Sequence, residues 1–329
     1  MEDRGGIDWK DEEREMINQV LDEKIRGVFG EDGSAGDLFV NEPMKGHTTL
    51  RIGGPADLYV LPRNLISMRK LMITLKDEHI PVMPLGGGSN VVISDEGVEG
   101  AIIATASFTH IEHIEDHGNE VRLYAEAGTP LQKLVNFCKG KGYMGIEGLA
   151  GIPGSLGGAI TGNSGSFGYE IGRVVESVTV IGKEGRIVNI EGESLAFAYR
   201  SSSIPDSAIV LSAIVRLKGD DPHEVAKRVE GFLHEKLHTQ PVSQWSAGCV
   251  FKNPLQAPAG KLMDEAGCKG MKRGDIEVST LHANFFVNRG NGKASDFLAL
   301  MDEVRERVLK SSGVALEPEI RIVGRHGER

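Results

Sequence analysis

Cysteine is scarce in this chain. Its 329 residues include only three cysteines, Cys138, Cys249 and Cys268, and none of them has the CxxC spacing of a metal or redox motif. An odd number of widely spaced cysteines predicts no disulfide framework and favours a reducing compartment, the cytoplasm. The ten histidines form no HExxH or similar ligand cluster, so the sequence predicts no metal site.

Positive charge and long apolar runs are also lacking. Lys and Arg number 37 against 47 for Asp and Glu, giving a net charge of -10. An acidic chain without a concentrated basic patch repels polyphosphate backbones, so we expect no nucleic-acid partner. No stretch approaches the roughly 20 apolar residues that span a bilayer, and the polar, acidic residues 1–15 lack the apolar core of a signal peptide. We therefore expect a cytoplasmic protein without membrane association.

Short β-rich runs, glycine-rich turns and amphipathic helices alternate along most of the chain, which is typical of an α/β (α+β) fold. The predicted strands are Ala56–Leu61, Val82–Pro84, Val91–Ser94, Ala101–Ala104, Glu120–Glu126, Val174–Ile181, Ile187–Glu191, Ala208–Leu217 and Glu319–Val323. The predicted helices are Trp9–Phe29, Leu65–Glu78, Pro130–Lys141, Asp221–His238, Ala259–Gly267 and Ala294–Ser311. Gly142 is predicted to cap the third of these helices, and Asp221-Pro222 to begin the fourth.

A boundary near Gly219–Asp221 divides the chain in two. We expect a larger glycine-rich domain in residues 41–219 and a smaller C-terminal α/β domain in residues 220–329. Residues 1–40 combine a helical pattern with an acidic, glycine-containing loop, and they predict a peripheral helix and linker.

The densest local signal is the run Pro84-Leu-Gly-Gly-Gly-Ser-Asn90, which lies between two apolar runs. Consecutive glycines permit positive φ and can turn successive N–H groups toward one point, an anion-binding arrangement. The run lacks the lysine of a P-loop, and it enters a strand where a dinucleotide fingerprint would enter a helix. Taken by itself, it is equally compatible with a tight hairpin turn.

A second glycine-rich stretch, Gly148–Gly168, carries eight glycines with apolar residues between them. It has too little charge for a solvated linker. Such backbone suits close approach to a large, mostly planar ligand that carries phosphates. The two stretches lie about sixty residues apart, with β-rich sequence between them. Together they predict one extended cofactor site.

Six segments, in order along the chain, carry a family resemblance: Thr48–Asp57, Gly86–Asn90, Gly151–Ala159, Tyr199–Ser202, Ser246–Pro254 and Leu316–Arg321. They resemble the UDP-N-acetylenolpyruvoylglucosamine reductase (MurB) family over residues 41–324, and the short path from Arg200 to Cys249 is similar to its type II subclass. The resemblance implies a two-part FAD-binding domain of the vanillyl-alcohol-oxidase (PCMH) type and a smaller C-terminal substrate-binding domain. It also implies noncovalent FAD, NADPH as reductant, a UDP-sugar substrate and a monomer.

The resemblance also assigns most candidate binding residues. For FAD it implies Arg51, Gly86, Gly87, Gly88, Ser89, Asn90, Gly154, Ser155, Gly157, Gly158, Ala159 and Gly165. For the substrate it implies Asn163, Lys252, Asn253 and Arg321. On the sequence alone, Lys252 fits a solvated strand residue as well as it fits a substrate-binding residue.

Two charged residues are implied to take part in catalysis. In the family, hydride adds to the enolpyruvyl C3 and leaves enolate-like charge at C2, which requires a nearby cation and a nearby acid. The resemblance assigns the cation to Arg200, whose planar guanidinium suits a carboxylate, although Tyr-Arg by itself favours a surface salt bridge. It assigns assistance in protonation to Glu319. Spacing alone does not separate Glu319 from Glu317.

The third residue implied to be catalytic, Cys249, departs from the family, which usually has serine there as the proton donor. A lone cysteine is more often a small buried hydrophobe. The surrounding Ala-Gly-Cys-Val-Phe-Lys-Asn-Pro favours the donor role. A thiol with the unperturbed pKa of about 8.5 loses its proton at alkaline pH and is open to alkylation and oxidation. The sequence therefore predicts an alkaline decline of activity.

Two other functions remain open. One is an oxidase on the same flavin scaffold; such enzymes often tether FAD covalently, and His47 lies near the first matching segment but in no recognised tethering context. The other is a catalytically silent flavin- or nucleotide-binding regulator, which the loss of Arg200 or Glu319 would favour. Both residues are present, so the sequence favours the reductase.

Overall fold

The computed structural model describes residues 22–30, 32–325 and 327–328. The part of the predicted helix Trp9–Phe29 before residue 22 lies outside this range. The helices are α1 (residues 22–28), α2 (Leu65–Asp77), α3 (Leu131–Lys141), α4 (Leu156–Thr161), α5 (Pro222–Thr239), α6 (Ala259–Glu265) and α7 (Ala294–Ser312). No helix within the described ranges is both long and apolar enough to cross a bilayer.

The strands form several sheets. In chain order they are β1 (Gly36–Pro43), β2 (Pro55–Pro62), β3 (Val82–Leu85), β4 (Val91–Ile93), β5 (Val98–Ala104), β6 (Ile111–His117), β7 (Glu120–Glu126), β8 (Tyr143–Met144), β9 (Gly165–Ser166), β10 (Tyr169–Glu170), β11 (Val175–Ile181), β12 (Ile187–Glu191), β13 (Phe197–Ala198), β14 (Ser201–Ser202), β15 (Ile209–Gly219), β16 (Trp245–Cys249), β17 (Lys272–Arg273), β18 (Ile276–Val278), β19 (Phe285–Asn288), β20 (Arg321–Gly324) and β21 (Gly327–Glu328). Among these strands, antiparallel pairs outnumber the parallel pairs β2–β5, β3–β5 and β4–β20.

Local sequence sets the helix ends. Asn64 accepts a hydrogen bond from the backbone N–H of Ser67 and so caps α2. Asp221 caps α5 with Pro222 in its first turn. Gly142 takes a left-handed conformation directly after α3, so the predicted C-terminal cap is confirmed.

The first sheet has the strand order β1-β2-β5-β3 and packs against α2. Strand β1 pairs antiparallel with β2 from Gly36 to Pro43. The predicted linker therefore ends earlier than residue 40. The physical reason is burial, because Leu38 joins the core that α2 and β2 share.

The second sheet has the order β12-β11-β15-β7-β6, with β8 paired to β15. Helices α3 and α5 pack together, and Val225 and Val229 of α5 share one core with Leu134 and Val135 of α3. The predicted boundary at residues 219–220 would separate α5 from the core in which its apolar face is buried.

The third sheet, β16-β19-β18-β17, packs against α6 and α7 around Phe251, Phe286 and Phe297. The chain then returns to the first part of the molecule, where β20 pairs parallel with β4 and places Arg321 beside Val91. The predicted terminal strand Glu319–Val323 begins two residues too early. The N–H of Glu319 instead donates to the carbonyl of Val250, so this residue contacts the segment after β16 and does not pair with β4.

Candidate active site

One cavity of about 930 Å³ lies where these parts meet. Both glycine-rich stretches, the β13–β14 turn, the end of β16 and the segment before β20 line it. Most of the residues predicted from the sequence face it. They are Gly86, Gly87, Gly88, Ser89, Asn90, Gly154, Ser155, Gly157, Gly158, Ala159, Gly165, Arg200, Cys249, Asn253, Glu319 and Arg321.

The two glycine-rich stretches lie directly against each other. A Cβ atom on Gly87 would stand 2.6 Å from the Cα of Gly154, and one on Gly88, whose φ is +61°, would stand 2.0 Å from the carbonyl oxygen of His47. Glycine is therefore required at both positions. Within the described part of the chain, no hydrogen bond uses the N–H groups of residues 86–90. These donors are available to an anionic group in the cavity.

Three predicted binding residues do not line the cavity. Arg51 is exposed and its guanidinium lies over the ring of Trp245. Asn163 is 1% exposed, and its amide bonds the carbonyl of Ala198 and the N–H of Gly172. Lys252 pairs with Glu317. The side chain of Asn163 thus orders the second glycine-rich stretch instead of facing a ligand.

Arg200 occupies a two-residue turn between β13 and β14, where Ala198 pairs with Ser201. Its φ is +55°, a strained conformation for a residue with a side chain. The guanidinium Nε donates to Glu319 Oε1 at 2.6 Å, and one terminal nitrogen donates to the carbonyl of Gly165 at 3.1 Å. The turn therefore holds a cation between the second glycine-rich stretch and the Glu319 carboxylate.

The structure separates the two glutamates that spacing could not. The side chain of Glu319 is 15% exposed and pairs with Arg200, whereas that of Glu317 is 69% exposed and pairs with Lys252. Between them, Pro318 bridges to Phe251 and turns the chain. Burial raises the pKa of Glu319 above its ordinary value, although the Arg200 guanidinium opposes that shift.

A bulge in β16 brings Cys249 to the cavity. Ser246 pairs with Val287 and Cys249 with Phe285, so the β16 segment has one residue more than its partner. Gly248 absorbs the extra residue with a φ of +78°. Burial, reinforced by the Glu319 carboxylate, raises the pKa of the Cys249 thiol to about 12. We therefore expect this thiol to stay protonated at mildly alkaline pH, in contrast to the expectation for an ordinary thiol.

Sequence reasoning missed Asn284. It is 2% exposed, its Oδ1 accepts from the N–H of Phe251, and its Nδ2 donates to the Phe251 carbonyl. Asn284 also lies within hydrogen-bonding reach of Cys249. It therefore fixes the segment that carries the thiol. A polar residue directly before the apolar run Phe285–Val287 was the available signal.

Lys236 was also missed. It lies in the last turn of α5, lines the cavity and is 2% exposed. Burial lowers the pKa of its ammonium group to about 8. Its position continues the apolar stripe Val225, Val229 and Leu233 at helical spacing, and a lysine on a buried face was the signal in the sequence.

Within the described residues, no three His, Cys, Asp or Glu side chains are grouped closely enough to hold a metal ion.

Two family models match the chain. The model described as UDP-N-acetylenolpyruvoylglucosamine reductase, C-terminal domain, matches residues 240–323, and the model described as FAD binding domain matches residues 56–191. The C-terminal match begins directly after α5 ends at Thr239. This position agrees with the packing of α5 against the first part of the molecule.

Three similar proteins illustrate the match. The chain is 39% identical over 289 residues to UDP-N-acetylenolpyruvoylglucosamine reductase of Geotalea uraniireducens, covering 88% of this chain and 95% of that protein. It is 37% identical to the enzyme of the same name from Clostridium novyi, covering 95% and 100%. The crystal structure of UDP-N-acetylenolpyruvylglucosamine reductase from Thermus caldophilus is similar with a TM-score of 0.73 and 32% identity, covering 88% of this chain and 98% of that one.

Proposed function

The chain belongs to the UDP-N-acetylenolpyruvoylglucosamine reductase family, and on that premise we propose that it reduces UDP-N-acetylglucosamine enolpyruvate to UDP-N-acetylmuramate. NADPH is the reductant, FAD is the bound cofactor, and the product serves peptidoglycan precursor synthesis. The observation that carries the proposal is the convergence of both glycine-rich stretches with Arg200, Cys249 and Glu319 around one cavity.

The residues present fit FAD. The N–H groups of residues 86–90 are available for a diphosphate, and the close approach of Gly87 to Gly154 leaves bare backbone along the cavity wall. FAD held there would supply hydride transfer from NADPH to the enolpyruvyl group of the substrate. A covalent tether through His47 is unfavourable, since its ring bonds Glu42 at 2.8 Å and does not line the cavity. We therefore propose noncovalent binding, in contrast to an oxidase tethered through histidine.

Three side chains would act on the substrate. Arg200 binds the enolpyruvyl carboxylate and draws charge away from C2. Cys249 donates its thiol proton to C2, and the neighbouring Arg200 and Lys236 oppose the charge of the thiolate that forms. Glu319 positions Arg200 through the 2.6 Å hydrogen bond. A proton from solvent restores the thiol, so one hydride from NADPH and one proton complete the reduction.

The remaining assignments follow from placement. We propose that Asn253 and Arg321, which line the cavity, bind the UDP moiety, and that Lys252 lies beside it at the rim. The FAD-binding part then extends to Thr239 and the substrate-binding part follows it. A monomer stays a prediction. The proposed nucleotide substrate and reductant support a cytoplasmic location.

The function is tested on the purified protein. We expect a flavin absorbance spectrum, release of FAD on denaturation, and NADPH oxidation that depends on UDP-N-acetylglucosamine enolpyruvate. A matched reaction with UDP-N-acetylglucosamine, which lacks the double bond, should give only the background rate. A protein that binds no added FAD would contradict the proposal, and so would a flavoprotein whose NADPH oxidation ignores the substrate.

Gly87→Ala is expected to lower the affinity for FAD by about tenfold or more. The added Cβ meets the Cα of Gly154 at 2.6 Å, so the two glycine-rich stretches must move apart, and restoring the shape that binds FAD then costs about 1–3 kcal/mol. The measurement is flavin absorbance per protein after gel filtration, with FAD titration of the stripped protein. Gly140→Ala is the matched control, because a Cβ there meets nothing within 4 Å. Equal flavin content in the two variants would show that FAD binding does not require the close contact between Gly87 and Gly154.

A further inference from the structure

Lys236 is a buried cation whose only role in the proposed reaction is to oppose the charge of the Cys249 thiolate. Its ammonium donates to the carbonyl of Ala150 at 2.6 Å and lies 5.4 Å from the centre of the Phe167 ring. Ala150 and Phe167 both belong to the second glycine-rich stretch. The lysine therefore joins the end of α5 to the wall of the cavity.

The positive charge of Lys236 lacks a carboxylate partner among the described residues, since none lies within 4.0 Å. Arg200, by contrast, is paired with Glu319. Burying an unpaired ammonium costs several kcal/mol in general. An ammonium has three N–H donors, and Ala150 takes one. The arrangement fits an anion in the cavity that supplies the missing charge.

The anion that fits best is the reduced cofactor. Two-electron reduction of a flavin by hydride adds two electrons and one proton, so the bound group gains one negative charge. Arg200 already serves the substrate carboxylate in the proposed function, whereas Lys236 is fixed to the stretch that holds FAD. We propose that the Lys236 ammonium stabilises the negative charge that FAD acquires on reduction, and thereby raises its reduction potential. This inference rests on the proposed function.

The test is the midpoint potential of the bound flavin, measured by dye-coupled titration without substrate at pH 7. In Lys236→Met we expect the ratio of reduced to oxidised flavin at a fixed potential to fall about tenfold, which for two electrons is about 30 mV. Lys236→Arg keeps the charge and should stay close to wild type. Lys227→Met is the matched control on the exposed face of α5 and should leave the potential unchanged.

The outcomes separate the two proposals. A wild-type protein without FAD overturns the function itself. Lys236→Met with bound FAD and an unchanged potential overturns the present inference, and a rise in the substrate dissociation constant in that case assigns Lys236 to a substrate anion. If the methionine variant loses FAD, Lys236→Gln keeps an N–H donor for Ala150 without the charge and decides by the same measurement.

Discussion

Glu319→Gln is expected to lower steady-state turnover by about 10²–10⁴-fold while NADPH reduces the flavin at nearly the normal rate. The substitution keeps the shape of the side chain but removes the charge that accepts from Arg200 Nε at 2.6 Å. The neutral amide can still accept from Nε but no longer attracts the guanidinium as an ion, so Arg200 is held less firmly and polarises the substrate double bond less. Removing a group that stabilises transition-state charge costs about 10²–10³-fold in other enzymes, and misplacing the remaining groups adds to that loss. Stopped-flow absorbance separates the two half-reactions.

Glu317→Gln is the matched control for Glu319. The same chemical change there breaks a pair with Lys252 in which the glutamate is 69% exposed, and exposed pairs contribute about 0–1 kcal/mol. We expect turnover within about threefold of wild type. The reverse ranking of the two variants would place the wrong glutamate in the active site, and equal losses would mean that the whole segment after α7 has shifted.

The elements that sequence predicted best are those whose signals are local. Helices α2, α3 and α5 end within a residue or so of their predicted limits, because Asn64, Gly142 and Asp221 act through bonds to their own neighbours. Strand β1 was missed because its stability comes from pairing with β2, which lies further along the chain. The sequence around Gly36 reads as a loop, and only the partner strand makes it regular.

The site shows the same division. The glycine runs predict exposed backbone at the site. The contact between Gly87 and Gly154, however, joins residues 67 positions apart, so only the folded structure reveals it. The choice between Glu317 and Glu319 depends on the bridge between Pro318 and Phe251. The pKa of Cys249 depends on burial by distant segments, including the Glu319 carboxylate. The identity of a residue predicts which chemical groups are available. Packing decides where each side chain points and whether it is protonated.

Cys249→Ala is expected to keep NADPH-driven reduction of the flavin and to lower its reoxidation by substrate by about 10²–10⁴-fold, because the thiol is the proposed proton source for C2. Cys249→Ser supplies a hydroxyl donor and should retain most of the rate. Cys138→Ala is the control, since Cys138 lies on the buried face of α3. Near-normal turnover in Cys249→Ala would show that Cys249 only packs in the site and that another group donates the proton.

The pH dependence of the wild-type reaction tests the burial of the same thiol. The protonated form is the active one, and a pKa raised to about 12 moves its loss to higher pH than the ordinary value of about 8.5. Single-turnover reoxidation should therefore stay level from pH 7 to pH 10. At pH 8 the thiolate fraction is about 10⁻⁴ instead of about one quarter, so iodoacetamide should alkylate Cys249 about a thousandfold more slowly than a free thiol. Two results would contradict the raised pKa: rapid alkylation, or a decline of the reoxidation rate with a midpoint near pH 8.5 that Cys249→Ser abolishes. Either would show that water reaches the sulfur and that its surroundings do not favour the neutral thiol.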